Sequence, residues 1–234
     1  MSDGARSDVL ARIRHASHNA GREAIEGELR SLGRAPAASL PCEDLATAFL
    51  VNVLKNQGTA DCAEDRSAAV AAVAKYLYEH HKTHRLVAGN DRRLAAMPWR
   101  DAGVLPRFGA LESGEPVAVS YARLGIAEIG GVVTFTGKAN PASNNLLGEN
   151  HIVFVDATDL VADMETAWAR IDQLLSDEGR PRGINFIAGP SSTGDIEGKI
   201  VQGAHGPRQW HVILLVEAAE ERLAKALALA GPGA

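Results

Sequence analysis

Residues 189–207, GPSSTGDIEGKIVQGAHGP, gather five glycines, three hydroxyl side chains, two carboxylates and a histidine directly after the apolar run INFIA at 184–188. A glycine-rich turn that leaves a buried strand and opens a helix presents free N–H groups and the positive end of the helix dipole, which together hold a phosphate or carboxylate. Gly189 would free the turn, and Ser191, Ser192 and Thr193 would add hydroxyl donors. Ser192 with Asp195 three positions on also has the spacing of a capping box, which would use the same N–H groups internally. Spacing leaves both readings open. Asp195 and Glu197 would stand about 200° apart around a helix, so only one could face a given ligand. His205, between the glycines of G-A-H-G-P, sits in a restricted turn where an imidazole can serve as general acid, general base or anion ligand.

Three further positions bear on chemistry. Glu128 interrupts the apolar run LGIAEIGGVV, where a lone carboxylate is expensive unless it is paired, exposed at a cleft or protonated; it is a catalytic candidate with His205. His151 and His211 stand at the mouths of apolar strands, positions that suit a hydrogen-bonded core-edge group, and His151 is kept as a ligand-binding candidate. His80 and His84 in EHHKTH have the four-residue interval of a helical zinc site, but the glutamate of H-E-x-x-H is missing. The segment also ends an amphipathic helix, whose negative dipole end suits histidine, so no metal is expected.

The elements that would position these residues read as follows. Residues 5–33 carry two short helical patterns, with Gly33 as a stop, and GRAPAASLP at 33–41 reads as a linker. Beyond it, Leu45–Leu54 and Ala68–Tyr78 read as helices, and Arg85–Ala88 and Val117–Ser120 as extended segments. In the second half, IVFV at 152–155 precedes an apolar stripe from Met164 to Leu175 that Asp163 is placed to cap, and HVILLV at 211–216 precedes a last helix. Alternation of this kind predicts an α/β domain over 41–234 with an open, largely parallel sheet and helices on both faces, preceded by a helical extension over 1–40. IGGVVTFTG at 129–137 reads as a hairpin or bulged strand, a β element inserted into that pattern.

A chain of 234 residues with a net charge of −5 has no global basic field, so nucleic acid and anionic membrane surfaces are not expected partners. No run approaches a membrane span and the amino terminus does not read as a secretory signal; a cytoplasmic protein is expected. Cys42 and Cys62 are the only cysteines and read as ordinary thiols. An iron–sulfur cluster generally needs four cysteine ligands, so no cofactor is expected in this chain and any cluster belongs to a partner.

Taken together, IAEIG at 126–130, HIVFV at 151–155, GPSSTGDIE at 189–197 and GAHGPRQWHVILL at 203–215 resemble the lactate-utilization domain family (LUD, formerly DUF162), and within it the single-domain C type, over roughly residues 40–216. The resemblance implies a fold similar to the sugar-phosphate isomerase and CoA-transferase group. It also implies a role as non-redox subunit in oxidation of L-lactate to pyruvate, beside iron–sulfur and cysteine-rich companion proteins, with a small carboxylate or phosphate as ligand. The family's acidic residue falls on Glu128, its hydroxyl loop on Ser191, Ser192 and Thr193, its acidic pair on Asp195 and Glu197, and its turn histidine on His205. Ile129 and Gly131 stand where the family commonly carries hydroxyl residues. Two other functions remain open: a free-standing isomerase or CoA-transferase-like enzyme with Glu128 as base or nucleophile, and an assembly or regulatory protein with a relict pocket.

Overall fold

The structure, a computed structural model, describes residues 3–16, 21–33, 36, 39–196 and 199–231. The chain divides into two units, Met1–Ala37 and Ala38–Ala234. The first contains helices α1 (Asp3–Ala16) and α2 (Arg22–Ser31), whose described side chains are exposed; Gly33, at φ +73°, follows the end of α2. The second runs α3 (Leu45–Lys55), β1 (Thr59–Ala63), α4 (Arg66–His81), β2 (Arg85–Ala88), α5 (Arg92–Ala95), β3 (Leu105–Phe108), β4 (Val117–Tyr121), β5 (Leu124–Ile126) and β6 (Gly131–Thr136). It continues through α6 (Ala142–Leu146), β7 (Asn150–Asp156), β8 (Leu160–Val161), α7 (Met164–Glu178), β9 (Gly183–Ile187), β10 (Ser192–Ile196), β11 (Lys199–Gln202), β12 (Gln209–Leu215) and α8 (Ala219–Ala230). Among the described residues no helix is long and apolar enough to cross a membrane.

The main layer is a six-stranded sheet in the order β1-β12-β7-β4-β2-β3, parallel at every pairing. Its central strands are buried on both faces, which is why they read as continuous apolar runs. Along β7, Ile152 and Phe154 enter the core under α4 and α5, while Val153 and Val155 enter the core shared with α3 and α8. Each such side chain contributes about 1.5–3 kcal/mol on burial. Helix α3 sits so deep that Phe49, Leu50, Val51 and Val53 are all inaccessible; Asp44 caps it by accepting from the Thr47 N–H at 2.9 Å.

The inserted β element is a second, four-stranded sheet, β8-β5-β6-β9, in which β5–β6 and β6–β9 are antiparallel and β5–β8 parallel. Helix α7 covers it, with Ala167 and Ile171 packed on Leu124, Ile126 and Val133. Asp163 caps α7 as its spacing predicts, accepting from the Thr166 N–H at 2.7 Å. INFIA supplies β9 of this sheet and not a strand of the parallel one. It is only half-buried, and Asn185 at its centre donates to the Thr136 hydroxyl at 2.8 Å. The segment after it departs further from expectation. Ser192–Ile196 and Lys199–Gln202 pair as the antiparallel strands β10 and β11, so among the described residues the helix that the anion-cradle and capping-box readings both required is absent.

Candidate functional site

The turn from β9 into this hairpin is closed by its own backbone. Gly189 has φ +96°, and a Cβ there would meet the Asn56 carbonyl oxygen, so glycine is required by conformation and by contact. The Ser191 N–H donates to the Pro207 carbonyl at 2.8 Å, and the Gly203 N–H donates to the Ser191 carbonyl at 2.8 Å. Ser191 therefore ties the two ends of the 191–207 excursion together. Ser192 is exposed and Thr193 half-buried; Asp195 lies in β10, but its side chain and the whole of Glu197 fall outside the described residues. Beside this tie, Leu146–Glu149 and Gly203–Gly206 with Arg208 line a cavity of about 400 Å³. His205 is exposed on its wall.

Open parallel sheets usually bind ligands beyond the carboxyl ends of their strands. This cavity lies at the opposite edge: residues 203–208 lead into β12 and residues 146–149 into β7, and these two strands are parallel neighbours. The Arg208 and Gln209 N–H groups both donate to the Glu149 carbonyl, at 2.8 and 3.2 Å, fixing the two approaches to each other.

Glu128 is used differently. Its carboxylate accepts from the Met164 N–H at 3.0 Å, so it fills one of the unpaired donors at the start of α7 while Asp163 fills another. Its backbone is held as well: Asn52 on α3 donates to the Ala127 and Glu128 carbonyls at 2.8 and 3.2 Å, and Asn56 to the Ile129 carbonyl at 2.6 Å. Glu128 is not among the residues lining the His205 cavity. The departures beside it follow from packing. A Cβ on Gly131 would lie about 3.0 Å from both Ala188 and Ile129, and the Ile129 side chain packs on the core beneath α7. Glu128→Ala should lower stability by about 1–2 kcal/mol, the usual scale for a lost cap, and Tm by roughly 2–8 °C. Glu128→Gln, which keeps an acceptor oxygen, should recover most of it; thermal melts of the two variants check this, and an unchanged Tm for Glu128→Ala would contradict the capping role.

His151 lies fully inside β7, with Nε2 2.7 Å from the Ser120 hydroxyl, and burial pushes its ring down to about 3. It is neutral at any physiological pH. His211 stacks on Tyr76 with centroids 4.4 Å apart and places Nδ1 2.9 Å from the Thr59 hydroxyl. His80 and His84 do not share a helical face, because α4 ends at His81 and Lys82 turns left-handed. Cys42 and Cys62 are free thiols; burial, reinforced by Asp61, pushes the Cys62 thiol up to about 12.

One opening escaped the sequence reading. At the carboxyl edge of β4, the ends of β6 and α7 enclose a cavity of about 430 Å³ whose walls carry Arg123, Lys138, Arg180 and Arg182. The signal was R-P-R at 180–182 in an otherwise acidic chain.

This architecture defines an α/β protein with a parallel main sheet and a small, mostly antiparallel annex, and residues 116–215, which include β4, β7 and β12 of the main sheet and all four strands of the annex, match the family model of the LUD domain. Over 208 residues it is 28% identical to lactate utilization protein C of Shouchella clausii (strain KSM-K16), covering 82% of this chain and 91% of that protein. It is also 28% identical to lactate utilization protein C of Exiguobacterium sp. (strain ATCC BAA-1283 / AT1b) over 165 residues, 66% of this chain and 71% of that one. Among solved structures, a DUF162 family protein from Deinococcus radiodurans has the same fold, with a TM-score of 0.52 at 17% identity over 73% of this chain and 95% of that one.

Proposed function

We propose that this protein is a cytoplasmic, non-redox subunit of an L-lactate utilization system, binding a small carboxylate or phosphate and working beside iron–sulfur and cysteine-rich companion proteins. Its likeness to lactate utilization protein C over most of both chains supports the setting. Two cysteines fall short of the four ligands a cluster generally needs, which supports a division of labour with partners. The observation that carries the ligand reading is the cavity in which His205 and Arg208 share a wall, beside the Ser191 tie and the Gly189 turn. His205 and Arg208 would hold the anion. A free-standing isomerase or transferase using Glu128 is less well supported, because that carboxylate is committed to α7.

In a deletion strain complemented with His205→Ala or Arg208→Ala, growth on L-lactate should fall to near that of the uncomplemented strain. Both side chains are exposed, so the Tm of each variant should stay within about 2 °C of wild type. Full growth with both variants would overturn the assignment of this cavity.

A further inference from the structure

The cavity at the carboxyl edge carries a charge imbalance that the fold does not resolve. Six ionisable side chains other than tyrosine line it: Arg123, Lys138, Arg180, Arg182, Asp91 and Glu178. Both carboxylates are already engaged. Asp91 caps α5 and pairs with Arg93, Nη2 to Oδ2 at 3.2 Å, while Glu178 pairs with Arg123. Lys138, Arg180 and Arg182 are left with no side-chain hydrogen bond or ion pair among the described residues. Three uncompensated cations thus share one cleft in a chain of net charge −5, an arrangement that repels itself when empty and attracts anions. Their supports are fixed: the Arg182 N–H donates to the Thr136 carbonyl at 3.0 Å, and the Gly137 N–H to the Asn140 carbonyl at 3.0 Å, closing the turn that carries Lys138.

A second observation narrows the ligand. Asn140, only 9% exposed, also lines the cavity. Its Nδ2 donates to the Phe135 carbonyl at 3.1 Å, which sets the amide orientation and leaves Oδ1 buried without a partner. A buried acceptor lacking a donor is unfavourable by about 1–3 kcal/mol. A bare anion cannot satisfy it, because an anion brings only acceptors, whereas a hydroxyl brings a proton. The Tyr121 hydroxyl on the same wall is not available, since it donates to Asp156 at 2.9 Å.

We propose that this cleft is a binding site for a small anion that also carries a hydroxyl group, a hydroxycarboxylate or a phosphorylated alcohol. Lys138, Arg180 and Arg182 take the anionic end and Asn140 Oδ1 accepts from the hydroxyl. The site shares no lining residue with the His205 cavity, so it goes beyond the function proposed above and does not depend on it.

Isothermal titration of the full chain at low salt with L-malate, succinate and glycerol 3-phosphate tests the assignment. L-Malate should bind about fivefold more tightly than succinate, which lacks the hydroxyl, in line with one net hydrogen bond. In a His205→Ala background, which removes the first cavity's contribution, the exposed pair Arg180→Ala/Arg182→Ala should weaken L-malate by about tenfold or more with Tm unchanged. The tighter of L-malate and glycerol 3-phosphate names the anionic head, carboxylate or phosphate. Equal binding of L-malate and succinate, binding indifferent to the arginine pair, or no binding of either hydroxylated anion in that background would each overturn the proposal.

Discussion

Gly130→Ala is expected to destabilise the protein by more than about 3 kcal/mol, enough at this chain length to lower Tm by roughly 6–12 °C. Two independent demands meet at this glycine. Its φ of +53° costs an L-residue about 1–2 kcal/mol. A Cβ there would also lie well inside 3.0 Å of the Asn52 carbonyl group and the Val53 nitrogen, all backbone atoms of α3. That helix cannot retreat, because Phe49, Leu50 and Val53 are sealed in the core on its inner side. Gly137→Ala is the matched control: a Cβ there meets nothing within 4 Å, and the change should stay within about 0.5 kcal/mol. Similar melting temperatures for the two variants would show that the approach of the β5–β6 turn to α3 is looser than described.

Acid should destabilise the fold through His151. Burial holds this ring at about 3, against 6.5 for an unperturbed histidine, so between those values the unfolded chain takes up a proton that the folded chain refuses. The contribution is complete above pH 6.5 and lost as pH falls toward 3, at about 1.4 kcal/mol per pH unit. By pH 4.5 the deficit reaches roughly 3 kcal/mol. His151→Gln, which keeps a polar group facing the Ser120 hydroxyl but cannot be protonated, should lose correspondingly less stability between pH 7 and 4.5 in urea titrations. Equal losses in wild type and variant would place the acid sensitivity elsewhere.

The long, two-sided strands were the legible part of this chain. Arg85–Ala88 has the same limits in sequence pattern and structure, and the runs around Val153 and Val212 are the central strands β7 and β12. Asp163 was readable as a cap because three-residue spacing to Thr166 is a local property. Strand β1, TADCA, was not readable: it is an edge strand, and Thr59 and Asp61 serve His211 rather than an apolar face. The 189–197 segment misled because glycine and hydroxyl residues suit a tight helix entry and an exposed hairpin alike. Ser191 and His205 could be suspected of one neighbourhood since they share a segment, but Leu146–Glu149 completes the His205 cavity only through the pairing of β7 with β12. Lys138 and Arg182 meet by the same kind of event, the antiparallel pairing of β6 with β9, for which no short-range signal exists.

Growth of a strain lacking this chain, with L-lactate as sole carbon source, tests the central claim most directly. The account predicts that the deletion abolishes growth on L-lactate, leaves growth on glucose unchanged, and is rescued by the wild-type chain but not by His205→Ala. Undiminished growth of the deletion strain on L-lactate, with no second copy of the gene to replace it, would contradict a role in lactate utilization.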